Sequence, residues 1–278
     1  MNDTIKILFL GDIVGRPGRF AVKYFIQNIE SFLTEKPDFI FANCENASHG
    51  FGLTEKNYNE LIEASIDLLT SGNHIWDRKE IYSYIDKAPF LIRPINYPEN
   101  TPGKGSSVVT KNGVSVAVIN FLGRIFMDPY ESPWVLIKDE ILKLQSITPI
   151  VIIDFHAEAT AEKIAFGYYL SDLGASAMIG THTHVPTADE TILNDCMAYI
   201  TDVGYCGAVP SVIGMDIDSS IKKLSSLLPS RYEVPPVNEA VVCGALISIN
   251  ANTGVSSDIQ RIKYQLDLKK LIEEDKIK

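Results

Sequence analysis

Short apolar runs alternate with segments of helical spacing in the first third of the chain. Three runs of strand length cover residues 5–10, 38–42 and 66–70. After the first of them, apolar positions recur every three to four residues, as at Phe20, Tyr24 and Phe25. Thr54 stands where the N-cap of a second helix is expected, and a third helix is predicted from about Asp77. Alternating strands and helices predict parallel crossover units.

The rest of the chain predicts more strands of both kinds. Asn112 and Gly113 form a hairpin signal between the strands predicted at 106–109 and 114–121. Further buried strands are predicted at 149–155, 175–180, 197–201 and 241–249, and helices at 139–145 and 159–173. Residues 203–215 are small, Gly-rich and apolar, which favours a buried loop, and residues 269–278 predict a charged terminal helix. Because no convincing linker divides the chain, we predict one domain over residues 1–278.

Side chains that can bind a metal follow five of the predicted strands. They are Asp12, Glu45 and Asn46, Asn73 and His74, His156, and the pair His182 and His184. Ligands of open α/β sheets bind outside the carboxyl ends of the strands, so these residues are expected along one edge of the sheet. In an extended strand end, His182 and His184 would point to the same side. Four of the five histidines belong to this set, and His49 alone lies outside it.

The chemistry of these side chains favours a pair of cations over a loop of solvated histidines. Imidazole nitrogen and carboxylate oxygen, with no thiolate, suit Fe, Mn, Zn or Co. Glu45 is the best candidate to bridge two cations, which in such sites lie roughly 3.5–4 Å apart. A metal pair activates water near neutral pH and stabilises the charge of an in-line displacement at phosphorus. The sequence therefore predicts a metal-dependent phosphoester hydrolase.

Longer motifs surround these side chains. They are GDIVG at 11–15, NCENAS at 43–48, GNHIWD at 72–77, FHAEATAEK at 155–163, GTHTHVPTADE at 180–190 and ITDVGYCGAVPSVIGM at 200–215. Together they resemble the calcineurin-like metallophosphoesterases and, more narrowly, their bacterial YmdB-like phosphodiesterase branch. The resemblance extends over most of the chain, to about residue 250. Val14 stands where the wider superfamily usually has a further histidine.

The resemblance implies a fold, a set of roles and a substrate class. The implied fold is α/β, a two-sheet sandwich flanked by helices. The first metal would be held by Asp12, Asn46 and His184, the second by Asn73, His156 and His182, with Glu45 bridging. His74 would be the general acid that protonates the leaving oxygen. The implied cofactors are two metal ions, Fe or Mn, the implied substrates are 2′,3′- and 3′,5′-cyclic nucleotides, and self-association is expected.

Composition narrows the partners that we expect. The formal net charge is −10, which argues against non-specific binding to nucleic acid or to an anionic membrane. No apolar run approaches the ~20 residues of a membrane-spanning helix. The four cysteines are scattered without a Cys-x-x-Cys pair, which is typical of free thiols in a reducing compartment. We therefore expect a cytoplasmic enzyme with a small-molecule cyclic nucleotide substrate, no membrane partner and no stable nucleic-acid partner.

Several residues leave two interpretations open. Arg16 and Arg19 could hold a substrate phosphate or be surface turn residues. Asp77 could orient the imidazole of His74 or cap the next helix, and His49 could enter the cleft or be solvated. Residues 203–215 could wall the substrate pocket or fill the core. The alternative functions are a phosphomonoesterase or protein phosphatase on the same metal site, and a non-catalytic nucleotide-binding regulator, against which the intact His74 argues.

Overall fold

Two β-sheets stack face to face, and helices cover both outer faces. The computed structural model describes residues 3–128, 130–226 and 231–274. One sheet has seven strands and the other has six. This arrangement confirms the predicted α/β fold of two sheets flanked by helices.

The described elements have the following bounds. The strands are β1 (Thr4–Leu10), β2 (Asp12–Ile13), β3 (Phe39–Asn43), β4 (Leu68–Thr70), β5 (Ser106–Lys111), β6 (Val114–Leu122), β7 (Val151–His156), β8 (Ala177–Thr181), β9 (Thr191–Leu193), β10 (Met197–Ile200), β11 (Tyr205–Ala208), β12 (Glu239–Asn250) and β13 (Ser256–Asp267). The helices are α1 (Gly15–Gln27), α2 (Glu55–Glu63), α3 (Ile81–Tyr84), α4 (Pro133–Gln145), α5 (Thr160–Asp172), α6 (Ile217–Ser226) and α7 (Leu268–Glu273). Short 3₁₀ helices cover Ile29–Ser31, Asn73–Asp77 and Ile85–Lys87.

The two sheets bring parallel strand ends together from separate parts of the chain. In the seven-stranded sheet the order is β2-β11-β12-β1-β3-β4, with β13 also pairing β12, and β1, β3 and β4 are parallel. In the six-stranded sheet the order is β5-β6-β7-β8-β10-β9, and β6, β7, β8 and β10 are parallel. The predicted site residues therefore follow strands of two sheets, and the expectation of a single sheet edge was wrong.

The apolar runs read in the sequence are strands buried on both faces. In β1, Ile7 and Phe9 pack between the sheets, whereas Leu8 and Leu10 pack against the helices on the outer face. The period of two in a strand puts alternate side chains on opposite faces, so a strand covered on both faces needs a continuous apolar run. The same reasoning holds for β7, whose residues are all buried.

The structure differs from the predicted elements in several places. Residues 73–77 form a 3₁₀ helix and α3 begins only at Ile81, so a helix from Asp77 was wrong. Helix α4 begins six residues earlier than predicted, with Pro133 in its first turn, where a missing N–H costs nothing. Part of the segment 203–215 is strand β11, and β13 was not predicted. Of the predicted terminal helix 269–278, residues 275–278 lie outside the described part of the chain.

The described residues contain no helix that is both long enough and apolar enough to cross a membrane. The division of the chain into one domain over residues 1–278 stays a prediction.

Candidate active site

The predicted metal-binding residues converge where strands of the two sheets end. Two groups have ligand atoms that all lie within 4.8 Å of one another. They are Glu45 with His156 and His182, and Asp12 with Glu45 and His184. Glu45 belongs to both groups and is fully buried, as are Asp12 and His156. Residues up to 172 positions apart in the chain, from Asp12 to His184, thus form one cluster.

The first of these groups is centred on Nε2 of His156. This nitrogen lies 3.1 Å from Oε1 of Glu45, 3.2 Å from Oδ1 of Asn73 and 3.0 Å from Nδ1 of His182. Four potential ligand atoms from β3, β4, β7 and β8 or their following loops therefore share a small volume. An asparagine oxygen and an unprotonated imidazole nitrogen are uncharged metal ligands, so Glu45 provides the negative charge of this group.

The second group is centred on Nε2 of His184. That nitrogen lies 3.2 Å from Oδ1 of Asn46 and 3.9 Å from Oδ1 of Asp12. The side-chain amide of Asn46 also donates to the carbonyl of Gly50 at 2.9 Å, which turns its oxygen toward His184. The structure therefore brings all seven predicted metal-binding residues together.

The two histidines of the loop after β8 have a left-handed backbone, which the sequence did not predict. His182 has φ 100° and His184 has φ 64°, so neither residue is extended. Left-handed backbone at a non-glycine residue costs about 1–3 kcal/mol and persists only where neighbouring contacts hold it. The geometric reason given for the pair, two side chains on one side of an extended strand, was wrong, although both imidazoles do reach the cluster.

A buried ion pair holds this loop in place. Nζ of Lys163 donates to the carbonyl of Thr181 at 2.7 Å and to Oδ2 of Asp202 at 2.8 Å. The same carboxylate oxygen accepts from the backbone and the hydroxyl of Thr183, at 3.0 and 2.8 Å. Sequence reasoning assigned no role to Lys163 or Asp202. Both lie inside quoted motifs, but only the fold shows that they meet.

Hydrogen bonds also fix which nitrogen of each imidazole faces the cluster. Nδ1 of His184 donates to the carbonyl of Ile213 at 2.8 Å. Nδ1 of His156 lies 2.8 Å from the hydroxyl of Thr181, which donates to Asp154 at 2.7 Å and so accepts from the imidazole. In both residues Nε2 therefore faces the cluster, where it would bind a metal, and partners of this kind orient the ligands of metal sites.

The pKa shifts of the clustered side chains show which positive charge is present without a metal. Burial alone would lower the pKa of His156, but the carboxylates of Glu45 and Asp12 outweigh it and raise that pKa to about 9. Burial would raise the pKa of Glu45, yet His156 and the backbone N–H of His74 hold it well below its usual value. For His182, burial and the neighbouring His156 lower the pKa to about 3. Without metal, a proton on His156 balances part of the negative charge.

Two observations show that the residues fit a metal. Oδ1 of Asp12 is buried and has no hydrogen-bond partner among the described residues, which is costly for a carboxylate unless a cation faces it. A Cβ atom at Gly72 would lie 2.2 Å from Oε2 of Glu45 and 2.4 Å from Nε2 of His156. Glycine therefore keeps open the space in front of the ligand atoms.

His74 lies beside the cluster without belonging to either group. Its Nδ1 is 3.0 Å from Oδ2 of Asp77, and its backbone N–H donates to Oε2 of Glu45 at 3.0 Å. The imidazole of His74 and the ring of Phe51 are in an edge-type contact, with their centroids 4.9 Å apart. Of the two interpretations of Asp77, the one that orients His74 fits the structure, because the N-cap position of α3 is Glu80.

A cavity of about 420 Å³ opens over the cluster. Four of the predicted metal-binding residues line it, namely Glu45, Asn46, His182 and His184. His74 and Glu158 also line it, and the carboxylate of Glu158 is 3.2 Å from Nε2 of His182. Its opposite side is apolar and is lined by Phe51, Val212, Ile213, Met215, Leu224 and Tyr232. Residues 203–215 thus contribute to the pocket wall. Ser220 also lines the cavity, and its buried Oγ has no hydrogen-bond partner in the described part of the chain.

Three residues left open by the sequence lie away from the cluster. Arg19 pairs with Glu60 at 2.8 Å, and the guanidinium of Arg16 lies 4.7 Å from the ring centroid of Phe20. Both arginines are in the first turns of α1 and not in a turn, although Arg16 is at the surface as that interpretation had it. Neither lines the cavity over the predicted metal-binding residues. His49 is exposed.

Known proteins of the same architecture share most of this chain. The family model described as YmdB-like protein matches residues 8–262. The 2′,3′-cyclic-nucleotide 2′-phosphodiesterase of Bacillus subtilis (strain 168) is 46% identical over 93% of this chain and 96% of its own. A solved structure of a novel phosphatase from Mycoplasma pneumoniae is 33% identical, with a TM-score of 0.88 and 98% of each chain covered. A hypothetical protein from Thermus thermophilus is 34% identical, with a TM-score of 0.87 and coverage of 94% of this chain and 99% of its own.

The family match includes every metal-binding residue that the sequence predicted. Each of these alignments extends over nearly the whole length of both proteins, so it includes the strands of both sheets and the loops at their ends. This chain therefore belongs to the YmdB-like family and is a phosphoric ester hydrolase.

Proposed function

We propose that the protein is a dinuclear-metal phosphodiesterase that opens the cyclic phosphate of 2′,3′-cyclic nucleotides. The observation that carries this proposal is the pair of ligand groups that share Glu45 beside His74, at the floor of a cavity with an apolar wall. The Bacillus subtilis relative, named for the same substrate class, supports it.

Asp12, Asn46 and His184 would hold one metal, Asn73, His156 and His182 would hold the other, and Glu45 would bridge them. Such a pair, with Fe or Mn as its members, supplies an activated water and neutralises charge at phosphorus. The buried cluster holds two carboxylates close to each other, and two bound cations would neutralise them. Oδ1 of Asp12 has no hydrogen-bond partner among the described residues and is therefore available as a metal ligand.

His74 supplies the proton that the reaction needs. When a P–O bond to ribose breaks, the departing oxygen must gain a proton while a new P–O bond forms to water. Asp77 holds Nδ1 of His74, so that Nε2 is available to donate this proton. General-acid catalysis of this kind contributes about 10²–10⁴ in rate.

The cavity wall supplies the contacts for a nucleoside. Phe51 and Tyr232 offer aromatic surface to a base, with their rings inclined by 32° and their centroids 6.2 Å apart. The hydroxyl of Ser220 lies behind this apolar surface, fully buried and without a partner among the described residues. A cavity of about 420 Å³ also has room for the nucleoside of a 3′,5′-cyclic nucleotide, which we include in the proposed substrate range.

The first experiment separates diesterase from monoesterase activity. Metal-loaded protein is assayed on bis-p-nitrophenyl phosphate, p-nitrophenyl phosphate, 2′,3′-cyclic AMP and 3′,5′-cyclic AMP. We expect faster turnover of the diester than of the monoester, and hydrolysis of the 2′,3′-cyclic nucleotide. Faster turnover of the monoester would favour a phosphatase and reject the proposal, and binding of nucleotide without turnover would favour a regulator.

The second experiment tests the shared carboxylate. Glu45→Gln removes the charge that both ligand groups depend on, so metal bound per chain should fall from two toward one or none, with metal affinity reduced by about 10–100-fold or more. Glu158→Gln is the matched control, because Glu158 also lies near His182 but is half-exposed and belongs to neither group. Equal metal content in the two variants would reject Glu45 as the bridge.

A further inference from the structure

A second cavity adjoins the active-site cavity on the side of Phe51. It measures about 600 Å³ and shares Phe51 and Tyr232 with the first. Its other lining residues are His49, Arg78, Lys223 and Arg231, and no described carboxylate lines it. The neighbour of the catalytic cluster is therefore a cavity with aromatic and cationic walls.

A third cavity continues from the second. It measures about 720 Å³ and shares His49 with it. Its cations are Arg16, Arg19, Lys23 and Lys56, and its carboxylates are Glu60 and Glu80. Glu60 is paired with Arg19 at 2.8 Å. We call the second and third cavities together the basic path.

The elements of the fold place these cations on one surface. Arg16, Arg19 and Lys23 recur at a spacing of three and four in α1, which puts them on one face of the helix. The guanidinium of Arg78 is held by the carbonyls of Phe51 and Ser48, at 3.0 and 2.9 Å. Cations with fixed positions can bind successive anionic groups without first ordering long side chains.

The charge of the basic path is opposite to that of the whole chain. Seven arginine and lysine side chains line it against two carboxylates, whereas the chain as a whole carries −10. Such a local reversal is unexpected on a surface without a function. The basic path lies next to the site that would bind an anionic phosphodiester. An anionic ligand that extends from that phosphodiester therefore fits the path.

We propose that the basic path binds the sugar-phosphate backbone of a short single-stranded RNA whose terminal 2′,3′-cyclic phosphate occupies the active site. This inference rests on the proposed function. Grooves that bind single strands combine cations along the backbone with aromatic side chains under the bases. Phe51 and Tyr232 lie where the active-site cavity meets the second cavity, and the last bases of such a strand would lie there.

The acidic character of the rest of the protein limits this binding to strand ends. A net charge of −10 repels a long polyanion, so attraction is confined to the few phosphates that reach the path. The expectation that the chain forms no stable complex with nucleic acid stays a prediction for duplexes and long strands. A short strand anchored by its end in the active site is the exception.

The test compares two substrates that differ only in length. Metal-loaded full-length protein is assayed on 2′,3′-cyclic AMP and on a pentaadenylate RNA that ends in a 2′,3′-cyclic phosphate. At about 50 mM salt, kcat/KM should be about tenfold higher for the pentanucleotide, because the longer substrate adds base and phosphate contacts along the path. If two phosphates are contacted, this preference should fall about sevenfold between about 50 and 200 mM salt.

Charge variants remote from the catalytic cluster locate the contact. Lys23→Gln combined with Lys56→Gln removes two cations of the third cavity, neither of which lines the active-site cavity. The preference for the pentanucleotide should fall about fivefold, and hydrolysis of 2′,3′-cyclic AMP should not change. Lys138→Gln combined with Lys143→Gln on α4 is the matched control, because α4 covers the opposite sheet.

Each outcome decides between two statements. Equal kcat/KM for the two substrates, or the same loss of preference in the path and control variants, would overturn the inference and leave the proposed function intact. Failure to hydrolyse either substrate would overturn the proposed function itself and the inference with it. A preference that is sensitive to salt and lost only in the path variants supports both.

Discussion

The two sides of the active-site cavity are built from different materials. The side that carries the predicted metal-binding residues, called the metal-binding side, consists of strand ends from both sheets. Its Glu45 is fully buried, as are Asp12 and His156 behind it. The apolar side consists of a loop after β11, of α6, and of Phe51 and Tyr232, and its Ile213 and Leu224 are 47% and 62% exposed. The predicted ligand cluster thus lies in the core of the fold, whereas the surface proposed to contact the rest of the substrate is partly exposed.

This difference separates catalysis from substrate selection. A change on the metal-binding side disturbs several buried hydrogen bonds at once, because His156 and Asp202 each have several partners. A change on the apolar side alters few contacts and is tolerated by the fold. We expect variants of the first side to affect turnover or stability strongly, and variants of the second to affect substrate affinity alone.

The largest expected effect follows from His74, which lies on the metal-binding side. His74→Ala should lower kcat for 2′,3′-cyclic AMP by about 10²–10⁴, because it removes the imidazole that Asp77 holds and that would protonate the leaving oxygen. Metal content should not change, since His74 belongs to neither ligand group. Asp77→Asn, which keeps the imidazole but weakens its orientation, should lose less. Undiminished turnover in His74→Ala would reject the general acid.

The next effect concerns the buried ion pair that holds the histidine loop. Lys163→Met leaves Asp202 buried without its cation, because both side chains are at most 1% exposed. Breaking a buried pair in this way costs about 3–5 kcal/mol of the free energy of unfolding, and urea denaturation of the metal-free protein measures it.

The control for this prediction is Lys222→Met, on the exposed surface of α6. The double variant Lys163→Met, Asp202→Asn should recover part of the loss, since the uncompensated charge is then removed. A change below about 1 kcal/mol in Lys163→Met would show that the pair contributes little to holding the loop.

The metal-binding side was largely predictable from sequence because its signals are local. A run such as residues 175–180 is long enough to indicate a buried strand, and the histidines follow it directly. What the sequence did not reveal is how the loop reaches the site. The left-handed backbone of His182 and His184 depends on Asp202, a residue that follows the next parallel strand of the sheet, and no local pattern in GTHTH indicates it.

The apolar side was less predictable because its members are defined by long-range contacts. Strand β11 has four residues, too few for a periodic signal, and it exists because β2 and β12 lie on either side of it. Ser220 stands in a segment with no motif around it, and an unpartnered hydroxyl is a property of the folded chain only. The basic path likewise joins α1 and α2 to residues far later in the chain, Lys223 and Arg231.

The smallest effect provides the sharpest contrast between the two sides. Ser220→Ala removes a hydroxyl that is buried without a partner among the described residues, so the free energy of unfolding should stay equal or rise slightly. KM for 2′,3′-cyclic AMP and for bis-p-nitrophenyl phosphate should not change, because the hydroxyl is fully buried and a ligand in the cavity does not contact it. Ser225→Ala, an exposed position of the same helix, is the control. If Ser220→Ala lowers stability, the hydroxyl serves the fold, and if it raises KM for the nucleotide alone, the apolar side rearranges on binding and selects the nucleoside through this hydroxyl.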